Sequence, residues 1–539
     1  MNLTNQGIQN PAPWTACGVA LPRFDRAAMC AITRQTPTWV HFGAGNIFRG
    51  FIAGLQQSLL NQGLVSGGIL AADTFDYDII DKIYHPYDAM TLMVRLKPDG
   101  TMEKEVIASV AQGLRAGVAY PDDMAQLRRA FCAPSLQLVS FTITEKGYAL
   151  SGMDGAFFPF VEADFAAGPD GCTHAMSLVT ALLHQRYLAG GFPLAVVSMD
   201  NCSHNGEKLR GSILTVAQKW KENGFVSAAF LRWLSDEGKV SFPWSMIDKI
   251  TPRPAAVVEQ VLEKDGIADM APLITGKNTF IAPFVNAEVP QYLVVEDRFP
   301  NGRPPLEKAG VYMTTRETVN QTERMKVTTC LNPLHTALAV YGCLLGYESI
   351  SAEMKDPQLK ALVERIGYDE GMPVVVDPGI LSPRAFLQEV VEQRLPNPFI
   401  PDVPQRIATD TSQKIPIRFG ETIKSYALRP DLDVTALTFI PLAIAGWLRY
   451  LLGVDDGGLP MEVSGDPMLA QLQQQLSGVT LGHPESLSGK LEGILSSPVL
   501  FGSDLVALGL GEKIEGMVRE LLAGPGAVRA TLLRYLPTP

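Results

Sequence analysis

Apolar positions along the first 300 residues follow two rhythms. Short, nearly continuous apolar runs ("TWVHF", "GGILAAD", "LQLVSFTIT", "PLAVVSMDN") read as strands buried on both faces. Between them lie stretches with helical spacing, "IFRGFIAGLQQSLL" and "HAMSLVTALLHQRYLAG". Strand, glycine turn, helix, strand, acid is the order of a βαβ unit. Its repetition predicts a mostly parallel sheet with helices on both faces. Residues 1 to about 35 carry turn-forming Pro and Gly and are expected to be irregular.

The pattern changes near residue 300. "VVEDRFPNGRPPLEKAG" is polar and turn-rich, and strand signals become rare after it. "PLHTALAVYGCLLGY", "DPQLKALVERIGY", "PRAFLQEVVEQRL", "KIEGMVRELLAG" and "AVRATLLRYL" are helical in spacing. The expected fold class is α/β: a Rossmann-type N-terminal domain over residues 1–300, then a mostly α-helical domain over 301–539. The most apolar run, "VTALTFIPLAIAGWL", is short for a membrane span, contains Pro441 and stops at Arg449. It reads as a buried helix.

Composition narrows the partner class. Hydrophobic residues make up 46% of the 539 and charged residues 19%, a globular balance. A net charge of −11 and a pI of about 5.3 argue against a nucleic-acid-binding face and fit a small-molecule partner. The start, "MNLTNQGIQNPAPW", lacks the basic and apolar regions of a signal peptide. The seven cysteines are scattered with no C-x-x-C pair, as expected for reduced thiols in a cytoplasmic protein.

Two segments carry candidate chemistry. The first is "HFGAGNIFRG", with Gly43, Gly45 and Gly50 at a strand-to-helix junction. Gly43 permits the tight turn, and Gly45 removes a Cβ so that backbone can approach a pyrophosphate at the helix N-terminus. The spacing departs from G-x-G-x-x-G. Asp73, closing the second strand, stands where a carboxylate can accept both ribose hydroxyls of NAD and repel a 2′-phosphate. Asp76 is a nearby rival. Turn and acid together favour NAD over NADP.

The second is "ERMKVTTCLNPLH", Glu323 to His335. Hydride transfer between a secondary alcohol and NAD needs a base for the hydroxyl proton and a donor for the developing alkoxide. Zinc can do both, but no cysteine and histidine spacing here supports a zinc site; "GCTH" and "NCSH" read as incidental. A lysine can serve as the base, an asparagine amide as oxyanion donor, and a histidine can orient the substrate. On one straight helix Lys326 and Asn332 lie about 120° apart and Asn332 and His335 about 60° apart, so all three would not meet at one spot. Pro333 suggests a break, with Asn332 as an N-cap and Pro333 at the first helical position. That capping role, and a structural role for His335, are the plain alternatives to catalysis.

In order, "HFGAGNIFRGF", "SFTITEKGY", "SMDNCSHNG", "FPWSMIDKITP" and "ERMKVTTCLNPLHTALAVYG" resemble the polyol-specific long-chain dehydrogenase/reductase family, from about residue 37 to the C-terminal helices. The resemblance implies zinc-independent hydride transfer between NAD(H) and a sugar-derived ketone or alcohol. It places the catalytic lysine on Lys326, the oxyanion asparagine on Asn332, the nearby histidine on His335, a second asparagine on Asn201, and an orienting or relaying aspartate on Asp248. Glu323 matches an acidic residue near the proton path. Asn46, Phe48, Arg49, Thr144 and Glu145 join Gly43, Gly45 and Asp73 in the cofactor set. Five residues separate Lys326 from Asn332, where the family's mannitol 2-dehydrogenases usually place four. Overall the chain is similar to the hexuronate-reducing branch. The expected substrate is D-fructuronate, with tagaturonate or fructose as alternatives. A cation should then meet the substrate carboxylate, and the candidates are Arg394, Arg406 and Lys414.

Overall fold

The computed structural model describes residues 1–152 and 154–537. The chain forms two compact units, Met1–Asn320 and Gln321–Pro539.

The first unit is built on six parallel strands: β1 (Trp39–Phe42), β2 (Ile69–Asp73), β3 (Val110–Arg115), β4 (Leu138–Phe141), β5 (Leu194–Ser198) and β6 (Val240–Ser241). Their spatial order is β3-β2-β1-β4-β5-β6, the doubly wound order of a dinucleotide-binding sheet. Every residue of β1, β2, β4 and β5 is buried, because apolar layers cover both faces. Val40, Phe42, Val139 and Val196 pack into one layer, and Trp39, Leu138, Ala195 and Val197 into the other. The parallel sheet and its helix Ala175–Leu188 are as the apolar pattern indicates.

Besides a two-stranded pair, Leu273–Ile274 with Phe280–Ile281, two further sheets were not legible in that pattern. Four strands, Val19–Ala20, Met102–Ile107, Thr91–Leu96 and Phe284–Glu288, form one. In the other, β7 (Ser245–Asp248) pairs antiparallel with β8 (Tyr292–Glu296), which pairs in parallel with β9 (Tyr312–Thr314). The β8–β9 pairing keeps the turn-rich stretch after residue 300 in the first unit, so the division falls at Asn320 and not at 300. The N-terminal segment is also more regular than expected. Asp25 caps the helix Arg26–Gln35 by accepting from the Ala28 N–H at 3.0 Å, and Val19–Ala20 adds a parallel strand beside Lys104–Glu105.

The second unit is helical. Among the described residues it has no strand longer than an isolated bridge. Helix Asn332–Leu345 packs against the apolar helix Phe439–Tyr450, where Tyr341 donates to the Leu442 carbonyl at 2.7 Å. The buried Glu370 carboxylate accepts from the N–H groups of Thr438, Phe439 and Ile440, capping the second of these helices from another segment. At its other end Arg449 is fully buried and donates to the carbonyls of Leu521, Val454 and Asp455. No described helix is long and apolar enough to cross a membrane.

Glu353 departs from this pairing of buried charge. It lies against Gly342, where a Cβ would come within 1.9 Å of its Oε1. Among the described residues neither carboxyl oxygen has a hydrogen-bond partner. Burial, with Asp356 nearby, pushes its pKa up to about 9. The folded state therefore keeps a proton that the unfolded chain releases near the ordinary carboxylate value. Stability is full below that value and declines as pH rises toward about 9. Glu353→Gln should remove this decline: urea midpoints of variant and wild type should converge near pH 4.5, with the variant higher at pH 8. A wild-type midpoint at or above the variant's at pH 8 would contradict the buried acid.

Candidate active site: a dinucleotide turn and a buried lysine segment

The glycine turn sits at the carboxyl end of β1. Gly43 has φ +101°, and a Cβ there would lie 2.1 Å from the Thr142 carbonyl oxygen. Only glycine fits both the conformation and the space. At Gly45 a Cβ would meet nothing within 4 Å, so the backbone faces open space. Arg49 N–H reaches the Gly45 carbonyl at 3.1 Å. The N–H groups ahead of it, Gly45 to Phe48, have no carbonyl of their own helix to bind. Gly50 serves packing: a Cβ would come within 2.8 Å of Val285 Cγ1.

A ladder of buried polar groups holds this turn from below. Trp39 Nε1–H donates to Ser140 Oγ at 2.7 Å, and Thr142 Oγ1–H donates to the Gly43 carbonyl at 3.1 Å. His41 stands between, with Nδ1 2.7 Å from Ser140 Oγ and Nε2 2.8 Å from Thr142 Oγ1. Desolvation pushes its pKa down to about 3, so the ring is neutral with one proton. Thr142 has spent its own proton on Gly43, so His41 donates from Nε2 and accepts at Nδ1. His41 also stacks on Phe48, ring centroids 4.1 Å apart. Sequence reading took His41 only as part of a strand.

Asp73 ends β2 beside the turn. Its Oδ2 accepts from Ala44 N–H at 3.0 Å, and its Oδ1 from Phe75 N–H at 2.9 Å and Asp76 N–H at 2.8 Å. Burial raises its pKa and these three bonds oppose the rise. Asp76, the rival, accepts from Thr275 Oγ1 at 2.6 Å. The open backbone at Gly45, the helix N-terminus and the adjacent carboxylate suit the pyrophosphate and ribose of NAD. Of the other expected cofactor residues, Asn46 Oδ1 accepts from Arg49, which also donates to the Ala282 carbonyl at 2.8 Å. Phe48 and Arg49 are both buried, in the packing beneath the turn. Thr144 has φ +67°, and its N–H and that of Ile143 bind the Asp200 carboxylate. Glu145 pairs with Lys208. Asn201 is exposed in the loop after β5, and Asp248 is buried at the end of β7. Asn205, four residues on, is a buried clasp whose amide bonds Ser245 in both directions.

In the second unit, Lys326 is buried at the start of the π-helical turn Lys326–Cys330. The Leu331 N–H bonds the Lys326 carbonyl at 3.1 Å, an i→i+5 ring. Leu331 leaves helical geometry at φ −133°, and helix Asn332–Leu345 begins after it with Pro333 in its first turn. The break suggested by Pro333 is present, with Asn332 as the first helical residue. A π turn holds one residue more per ring than an α turn, which accommodates an added residue between Lys326 and Asn332.

His335 Nε2 lies 3.4 Å from Asp402 Oδ2. Asp402 also pairs with Arg406. Burial would raise the Asp402 pKa, but its bonds to His335 and Arg406 bring it below the usual carboxylate value. Asp402 was not anticipated, because nothing in its local sequence marks it. Arg394 is buried at the end of the π turn Val390–Arg394. Lys414 donates to the carbonyls of Ile407 and Thr409. Among the described residues no group of three or more His, Cys, Asp or Glu is placed to hold a metal ion.

Asp73→Ser should weaken NADH binding, followed by fluorescence titration, on the order of 10- to 100-fold and narrow the preference over NADPH. That is the cost of one charge-assisted hydrogen bond. Unchanged affinity and preference would move the ribose contact elsewhere.

Comparison with known proteins agrees with this architecture. Residues 37–308 match the mannitol dehydrogenase Rossmann domain and residues 318–490 the mannitol dehydrogenase C-terminal domain. A D-mannonate oxidoreductase of Thermotoga maritima is 53% identical over 99% of this chain and 98% of its own. A polyol:NADP oxidoreductase of Gluconobacter oxydans is 29% identical over 85% of this chain and 89% of its own. Among solved structures, substrate-free D-sorbitol dehydrogenase aligns with a TM-score of 0.80 at 25% identity, covering 100% of both chains. The Pseudomonas fluorescens mannitol 2-dehydrogenase, in ternary complex with NAD and D-mannitol, aligns with a TM-score of 0.69 at 26% identity, again over 100% of both. Domain order, sequence identity and fold converge, and the chain belongs to the mannitol dehydrogenase family.

Proposed function

We propose that this protein is an NAD-dependent oxidoreductase that interconverts D-fructuronate and D-mannonate without a metal. The observation that carries the reading is the identity, along nearly the whole chain, with a D-mannonate oxidoreductase. The dinucleotide turn ending at the Asp73 carboxylate supports NAD as the cofactor.

NADH, when bound, supplies the hydride for the substrate ketone. The residues of the chain handle the oxygen. As the carbonyl carbon is reduced, negative charge grows on its oxygen, and Lys326 donates the proton that neutralises it. The Asn332 amide donates a hydrogen bond to that oxygen and favours the charged transition state, a role the resemblance also offers to Asn201. His335 orients a substrate hydroxyl, with Asp402 holding its Nε2 side. Asp248 orients the site or relays the proton. In the oxidative direction Lys326 is the base.

Lys326→Ala should lower turnover about 10²- to 10⁴-fold, the usual cost of losing a general acid or base, while NADH affinity stays near wild type. A chelator should leave the wild-type rate unchanged. Inhibition by chelator that zinc reverses would overturn the metal-free chemistry.

The substrate reading is tested by comparing keto sugars. Fructose lacks the carboxylate and leaves a cation unpaired, so its kcat/KM should be lower than that of D-fructuronate by about 100-fold or more. Comparable efficiency with fructose would overturn the uronate reading. A clear preference for tagaturonate would keep the chemistry and reverse the sugar configuration.

A further inference from the structure

The second unit holds a largely buried arginine that sequence reading passed over. Arg418 lies in the π turn Pro416–Gly420, and its Nη1 donates to Thr336 Oγ1 at 2.7 Å. Thr336 Oγ1 in turn donates to the Asn332 carbonyl at 3.1 Å, and Thr336 follows His335 in the chain. One hydrogen-bonded step therefore links the guanidinium to the first turn of the helix that begins at Asn332.

Two other buried arginines spend their donors on backbone carbonyls. Arg186 donates to five carbonyls and Arg449 to three. Arg418 offers five N–H donors, and its hydrogen-bond partner among the described residues is a neutral hydroxyl. Burial pushes its pKa down to about 10, with no carboxylate opposing the shift. A buried cation without a counter-charge is costly unless an anion arrives.

The surroundings favour an anion. Arg418 and Arg406 both act on Lys414, whose pKa burial and these two neighbours lower against Asp410 and Asp466. Nearby carboxylates are already held: Asp402 by His335 and Arg406, Asp466 by the Ser412 N–H and hydroxyl. The 14-residue helix Asn332–Leu345 carries the positive end of its dipole at its first turn, to which Arg418 is linked through Thr336. We infer that Arg418, beside that first helical turn, is the residue that receives the substrate's carboxylate. A planar fork matches a carboxylate through two parallel hydrogen bonds. This inference rests on the hexuronate reading above and names the specificity residue within it.

The test uses full-length protein saturated with NAD. D-mannonate is titrated calorimetrically into wild type, Arg418→Gln and Arg418→Lys, and kcat/KM is measured for D-fructuronate and fructose. Arg418→Gln should weaken D-mannonate binding about 100-fold and lower kcat/KM for D-fructuronate to match, while fructose changes by less than about threefold. Arg418→Lys should recover part of the loss, since it restores charge without the fork. Equal D-mannonate affinity in wild type and Arg418→Gln overturns the assignment and leaves the D-fructuronate reaction standing. Arg418-dependent D-mannonate binding by a protein that does not reduce D-fructuronate keeps the carboxylate site and overturns the reaction. A parallel loss for fructose and D-fructuronate in both variants assigns Arg418 to support of Thr336 and overturns the inference.

Discussion

The dinucleotide end of the molecule depends on a contact that admits no side chain. The backbone at residue 43 passes so near the Thr142 carbonyl that a Cβ would sit 2.1 Å from it, at a φ that L side chains rarely adopt. This approach lets β1 and β4 end side by side and lets the chain turn at once into a helix. The His41 ladder then fixes the height of the turn. Each hydroxyl and ring nitrogen from Trp39 to Gly43 has one role, and a second proton on His41 would leave two donors facing each other. Low dielectric makes such a ladder rigid when complete and costly when broken.

The lysine segment departs from a regular helix. A regular helix cannot aim residues 326, 332 and 335 at one place. The chain instead tightens nothing and widens one turn: a π ring carries Lys326, Leu331 breaks the helix, and a new helix starts at Asn332 with Pro333 at a position that needs no N–H donor. The same irregularity recurs around it, at Val390–Arg394 and Pro416–Gly420, the turns that carry Arg394 and Arg418.

Buried charge divides the fold into structural and functional parts. Arg186 and Arg449 are fully buried and spend their donors on carbonyls, and Glu370 spends its oxygens on three N–H groups. These groups fasten loops and helix ends. Arg49 belongs with them, since its bonds to Asn46 and Ala282 support the turn from the protein side. Glu353, without a hydrogen-bond partner among the described residues, keeps its proton, and Arg418, bonded to a neutral hydroxyl, stands open to an anion.

The sequence by itself determined the parallel sheet, the helical second unit, the glycine turn with Asp73, and the break at Pro333. Those features rest on local rules: two-sided burial writes continuous apolar runs, and glycine and proline act through their own backbones. The resemblance to a family supplied the roles offered for Lys326, Asn332 and His335, which spacing alone left ambiguous with capping and packing. Tertiary structure decided the rest. The short strands at 91–107 and 284–314 carry charges and interrupted alternation, so their pairing partners, not their composition, make them strands. Asp402 meets His335 from 67 residues away and Arg418 meets Thr336 from 82 away, and no local pattern encodes such a meeting. Whether a charged side chain is fastened to carbonyls, as in Arg186, or left for a ligand, as in Arg418, depends on which backbone groups surround it, and only the folded chain brings those groups together.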